Sequence, residues 1–305
     1  QTDDTVNLSE MYIVRRVYQK KADRYVRMHG NIKFAAGGAL NDAIDVMKNT
    51  GLVPEGAYTG MEYGTEKHHH GELDKVLKAY IDEIIKNPMD KLTTAWDDGF
   101  EGILDAYLGD EPKEFNHKGK SFTPESYMKS LDLDPNDYVL LSSFTHHPFY
   151  QTFIIEVPDN WSWGEAYNIP LEEMKQTFRN ALEEGYSIAW AADVSNKGFS
   201  HNRGLAILPE KDWDEMKAGE RSQAFQEPVK QKEINQEMRQ KAFNNYVTQD
   251  DHGMHIMGTA EDQNGELYYY VKNSWGTTGK YDGYIYASEA YVMMNTLSFL
   301  VHKEG

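Results

Sequence analysis

Between Asp251 and Gly276 the chain reads DHGMHIMGTAEDQNGELYYYVKNSWG, and the fold turns on this stretch. Met254 to Glu261 and the run Leu267-Tyr268-Tyr269-Tyr270-Val271 are strand-like, and Gln263-Asn264-Gly265-Glu266 between them is a turn signal. The spacing predicts a hairpin whose closure brings His252 beside Asn273. An Asn amide oxygen placed there accepts from one imidazole nitrogen, fixes the tautomer and leaves the other nitrogen to face a nucleophile. Trp275 points to the same side of an extended strand as Asn273 and would cover that bond from water. Each piece has a plainer reading: a strand end entering a turn, and a core histidine. The pieces together favour a site.

The pairing of Asp251-His252-Gly253-Met254 with Lys272-Asn273-Ser274-Trp275-Gly276, followed by Gly283-Tyr284, resembles the His and Asn segments of papain-superfamily cysteine peptidases. Gly279-Lys280 stand where a second Trp-Gly is usual, a departure that resembles the bleomycin hydrolase and aminopeptidase C branch. Further upstream, Leu8-Ser9-Glu10-Met11-Tyr12 resembles the start of the helix after the family's nucleophile helix. Gly37-Gly38, the segment Ala39 to Ile44, and Gly51-Leu52-Val53-Pro54 resemble the Gly-Gly loop, helix and turn of the left-hand domain. The resemblance implies that Gly37 and Gly38 offer backbone groups to an extended peptide, work that suits a residue without a side chain.

A thiol peptidase needs a thiolate, a base and an orienting group, yet the chain has no cysteine. The family's nucleophile segment, which also carries a Gln for the oxyanion, would fall before Gln1. The expectation is therefore a cysteine in a missing N-terminal segment, with a catalytically inactive peptide- or partner-binding scaffold as the alternative. The resemblance also implies that the C-terminal carboxylate, here on Gly305, meets the substrate's free ammonium in the cleft. That would make the enzyme an aminopeptidase. It implies a homo-oligomer, a peptide substrate and no cofactor, and a cytoplasmic protein unless an export signal lies upstream.

Composition bounds the rest. With 305 residues, 40% hydrophobic and 12% aromatic, the chain can bury a large core and form two lobes. A formal net charge of −18 repels anionic polymers, so nucleic acid is not an expected partner. No apolar run approaches membrane-spanning length.

The reading is α+β: a papain-like two-lobe fold with a helical left lobe, a β-barrel-like right lobe and helical insertions. Residues 1–58 are read as the remainder of the left lobe, with helical stripes at Met11, Val14, Val17, Tyr18 and at Leu40, Ala43, Ile44, Met47. Residues 59–137 are read as a helical insertion. Within it Glu72–Lys86 carries Leu73, Val76, Leu77, Tyr80, Ile81 and Ile84 on one face, ended by Asn87-Pro88. The acidic run Asp90–Asp110 places Trp96, Phe100, Leu104 and Tyr107 on a second face. Residues 138–305 are read as the β-rich lobe, with strands near 138–141, 153–157, 187–191, 205–208, 253–260, 267–273 and 284–286, and a helix at 171–184 stopped by Gly185.

No metal site is expected. Consecutive His68-His69-His70 cannot all aim at one ion in a regular element and read as solvated loop. His146-His147-Pro148 is assigned to a lobe interface, Lys230–Lys241 to a mixed-charge amphipathic helix, and Asn160-Trp161-Ser162 to a chance sequon.

Overall fold

Ser9 starts the helical part of the chain: its Oγ accepts from Tyr12 N at 3.1 Å and donates to Tyr58 O at 2.6 Å, capping one helix and tying it to a later loop. The structure, a computed structural model, describes residues 5–64, 67–86 and 91–305. It divides into two compact units, 1–135 with 158–164, and 136–157 with 165–305.

The first unit holds α1 (Glu10–Arg27), α2 (Leu40–Thr50), α3 (His70–Ile85), α4 (Ala95–Leu108), a short hairpin of β1 (Phe115–His117) and β2 (Lys120–Phe122), and α5 (Pro124–Ser130). Its core draws Tyr12, Tyr18, Tyr25, Phe34 and Val46 together with Leu73, Leu77, Ile81, Phe100, Leu104, Leu108 and Tyr127. The helices expected as an insertion therefore share one core with those of 1–58. The Asn87-Pro88 stop and Asp90, which opens the acidic run, lie outside the described residues.

Two helix faces differ from the expected stripes. On α1, Val14 and Val17 are half-buried while Met11, Arg15, Tyr18, Ala22 and Tyr25 are inside. Arg15 is admitted because its guanidinium donates to Gly109 O at 3.0 Å and to Asp105 Oδ1 at 2.5 Å. On α2 the buried residues are Asp42 and Val46, and the carboxylate of Asp42 accepts from Ala39 N at 3.0 Å and Trp161 Nε1 at 2.9 Å. Burial raises the Asp42 carboxyl above its ordinary range, and those bonds with nearby Lys21 oppose the rise. Trp161 explains why residues 158–164 group with the helices. Asn160 of the sequon faces inward, donating to Gly164 O at 2.9 Å and accepting from Gly164 N at 2.8 Å.

The second unit is built on one ten-stranded sheet. Its elements are β3 (Tyr138–Ser142), β4 (Thr152–Ile154), β5 (Glu165–Asn168), α6 (Leu171–Glu183), β6 (Ile188–Ala192), β7 (Phe199–Ser200), β8 (Leu205–Ala206), α7 (Ala218–Gln223), α8 (Gln236–Asn244), β9 (His252–Glu261), β10 (Leu267–Lys272), β11 (Tyr284–Ser288), α9 (Glu289–Asn295) and β12 (Thr296–His302). The strand order is β4-β5-β3-β12-β6-β9-β10-β11-β8-β7. Residues 296–302 were not expected as a strand, yet β12 lies inside the sheet, paired with both β3 and β6. Trp190, Ile256, Tyr269, Val271, Ile285 and Phe299 pack with Met174 and Phe178 of α6 as the main core. At one end of the sheet the guanidinium of Arg239 donates to Ser143 O at 2.7 Å, Met293 O at 2.9 Å and Thr296 O, and lies over Phe144 at 4.6 Å. Among the described residues no helix is long and apolar enough to cross a membrane.

Candidate active site

The hairpin forms with β9 and β10 antiparallel, from Leu267↔Glu261 to Lys272↔His255, interrupted by a bulge at Tyr270/Val271. Its turn is fixed by Asp262 Oδ1, which accepts from Asn264 N at 2.8 Å and Glu266 N at 3.0 Å, and by Gly265 at φ +80°. His252 opens β9 opposite Ala192, and Asn273 follows β10 with its N–H on Gly283 O at 3.0 Å. The imidazole Nε2 and the Asn273 Oδ1 meet at 2.7 Å. With Nε2 so engaged, Nδ1 is the nitrogen left to face a nucleophile.

A third residue, His201, fixes which way the Asn273 amide points. Thr278 Oγ1 donates to Trp275 O at 3.1 Å and so accepts from His201 Nε2 at 2.8 Å. That bond puts the His201 proton on Nε2 and leaves Nδ1 to accept from Asn273 Nδ2 at 3.3 Å. Oδ1, which also accepts from Ser274 N at 2.7 Å, then faces His252. Asn273 is buried, and the Trp275 ring lies 4.9 Å from that of His252 and 5.0 Å from that of His201. Gly283, at φ +91°, closes this loop where any Cβ would fall 2.2 Å from Gly276 O.

Two carboxylates tie together the chain segments next to His252. Asp193, fully buried after β6, accepts from Ser195 N at 2.8 Å, Ser195 Oγ at 3.0 Å and Gln249 N at 2.7 Å. Burial raises its carboxyl above the ordinary range. Asp251, adjacent to His252, accepts from Ser195 N at 3.1 Å and Val194 N at 3.3 Å. His201, Asp193 and Ser195 were not singled out from the sequence; nothing local marks a histidine that meets its partner across 72 positions.

The remaining expected site residues, Gly37, Gly38 and Gly305, each have structural partners within their own unit. Gly37 and Gly38 belong to the helical unit. The Lys21 ammonium holds Ala35 O at 2.8 Å and Gly37 O at 2.7 Å, so the Gly37 carbonyl is already engaged. A Cβ on Gly38 would fall 2.4 Å from Asp42 Oδ2, so packing alone requires a glycine there. Gly305 donates its N–H to His302 O at 2.9 Å and packs on Ala181 of α6. Thr296, at the other end of β12, is the residue in line with His252 through Ala192. The six steps of strand from Thr296 to His302 put the terminus roughly 20 Å from the His252 end of the sheet. The expectation that Gly305 meets substrate beside His252 is corrected: β12 carries the terminus away along the sheet.

Aminopeptidase G of Lactobacillus delbrueckii subsp. lactis is 23% identical over 329 aligned residues, spanning 99% of this chain and 70% of its own. The crystal structure of PepW from Lactobacillus rhamnosis HN001 superposes with a TM-score of 0.72 at 16% identity, over 99% of this chain and 74% of that one. The fold is thus the α+β, papain-like one. With the family profile matching residues 6–305, the chain belongs to the Peptidase C1-like family.

Proposed function

We propose that this protein is a cysteine peptidase that removes N-terminal residues from peptides, with a cysteine carried outside these 305 residues as its nucleophile. The observation that carries the proposal is the 2.7 Å bond between His252 Nε2 and Asn273 Oδ1. In this reading His252 Nδ1 takes the thiol proton, the thiolate attacks the scissile carbonyl, and the imidazolium returns the proton to the leaving amine. Asn273 holds the ring in the tautomer both steps need, His201 holds Asn273, and Trp275 keeps water from the bond between them. Preference for a free N-terminus is supported by the relative named Aminopeptidase G. It does not rest on Gly305.

The complete protein should hydrolyse aminoacyl reporters, lose that activity on thiol alkylation, and prefer free-amine peptides over matched N-acetylated ones. Turnover that survives alkylation would overturn the thiol mechanism; equal specificity constants for the two peptides would leave a general peptidase. The lack of cysteine in the 305 residues favours one other reading, an inactive scaffold that binds peptides. A complete protein that binds peptides but has no thiol opposite His252 would establish it.

A further inference from the structure

His146 and His147 follow β3, Glu156 follows β4, and their side chains converge in the second unit. His146 Nε2 lies 3.0 Å from Glu156 Oε2 and His147 Nε2 lies 2.8 Å from Glu156 Oε1, with all three ligating groups within 4.8 Å of one another. Adjacent residues can aim together here because the segment is a turn, free of the side-chain alternation of a strand. The rings are fixed from behind. His146 stacks on Phe243 at 5.4 Å and meets Phe153 edge-on at 5.8 Å, and His147 packs on Phe153 at 4.9 Å. The side-chain amide of Gln240 meets the Nδ1 edge of His146, with Oε1 at 3.3 Å and Nε2 at 3.1 Å, and its Oε1 accepts from Thr145 N at 2.5 Å.

We propose that His146, His147 and Glu156 form a binding site for a divalent transition-metal ion of the zinc type. Two imidazole nitrogens and a carboxylate are the donor set such ions take, and the donors already stand close to the spacing of ligands on a four-coordinate ion. A metal on His146 Nε2 requires the proton on Nδ1, which faces both amide atoms of Gln240: Oε1 at 3.3 Å would accept it, while Nε2 at 3.1 Å donates to Asn244 Oδ1 at 2.9 Å instead. His147 and Glu156 are partly exposed, which leaves the fourth position to water. The site is separate from the His252 pair: β3 and β9 are three strand spacings apart in the order β3-β12-β6-β9, on the order of 15 Å. An ion there would cross-link the β3–β4 loop to the segment after β4.

The test is titration of the complete protein, its thiols alkylated so that sulfur does not compete, with Zn(II) by calorimetry and with Co(II) by visible absorption. One equivalent should bind and give the absorption of a four-coordinate Co(II) centre. His147→Gln and Glu156→Gln should each weaken binding by roughly 10- to 100-fold or more, by analogy with lost metal-site partners. A His68→Gln, His69→Gln, His70→Gln variant should leave that site intact. Circular dichroism of each variant separates a lost ligand from a lost fold, and His146→Gln supplies an independent ligand removal. Absence of binding, equal binding in the ligand variants, or binding lost only in the 68–70 variant would overturn the proposal.

Discussion

Two histidine clusters stand at the same end of the large sheet, and they differ in what holds the imidazole. His252 is held by an amide, His146 and His147 by a shared carboxylate. An amide orients the ring and brings no net charge, so a proton can be taken and given back. A carboxylate between two rings brings a negative charge that a bound cation balances. The aromatic surroundings match this division. Trp275 packs against both His252 and His201 over the Asn273 amide that joins them, whereas Phe153 and Phe243 brace the backs of His146 and His147 and leave the nitrogens forward. On the two roles proposed above, the same side chain serves as a base in one place and as a ligand in the other because of its second partner.

Variants of the complete enzyme can break or sharpen this contrast. The largest effect should come from His252→Ala, which removes the base and should lower kcat by on the order of 1,000-fold or more. Melting temperature should move little, since the ring is only half-buried. A smaller loss of turnover would assign the proton transfer elsewhere. Next, Arg239→Met strips donors from Ser143 O, Met293 O and Thr296 O and should cost about 3–5 kcal/mol in urea unfolding. Because Phe144 lies under that guanidinium, this variant should also weaken Zn(II) binding; unchanged metal affinity would show that Phe153, Phe243 and Gln240 brace the loop without Phe144.

Asn273→Ala leaves the base present and unoriented, and should lower kcat by roughly 100-fold with little change in KM. A change in KM alone would make Asn273 a substrate contact. The smallest effect expected is that of His201→Ala, about 10-fold in kcat, because Ser274 N still restrains Asn273 Oδ1. His201→Gln, which keeps an acceptor for Asn273 and a donor for Thr278, should restore most of the loss. Failure of that rescue would reduce His201 to a packing role.

The hairpin was legible because its determinants are local: an Asx turn at 262–266, a β-prone run, and a His and an Asn at its two open ends. Periodicity found Leu73, Leu77 and Ile81 of α3 and Phe100 and Leu104 of α4, but it also placed on those stripes Val76, which is exposed, and Trp96 and Tyr107, which are half-buried, and it passed over the buried Leu108. It failed on α1 and α2, where Arg15, Lys21 and Asp42 occupy inward positions and find partners far along the chain. Glu156 was missed as a companion of His146 and His147 for the same reason, since only the pairing of β4 with β5, and β5 with β3, brings the segments together. The 296–302 strand follows α9 without a break, so no turn signal marked its start.

The placement of His252 on β9 also bears on how fast the site can come apart. β9 is hydrogen-bonded on both sides, to β6 from Ala192 to Ile188 and to β10 from Leu267 to Lys272. The β10 ladder stops at His255, so His252 itself is paired on one side only, at the last position of the β6 ladder, whereas from His255 to Ile256 local opening would have to separate both ladders at once. The loop from Ser274 to Gly283 has no such double restraint. Amide exchange should therefore be slow at His255 and Ile256, faster toward the His252 end of the strand, and fastest in the loop that carries Trp275, so breathing of the site begins at its open end and stops where both ladders hold.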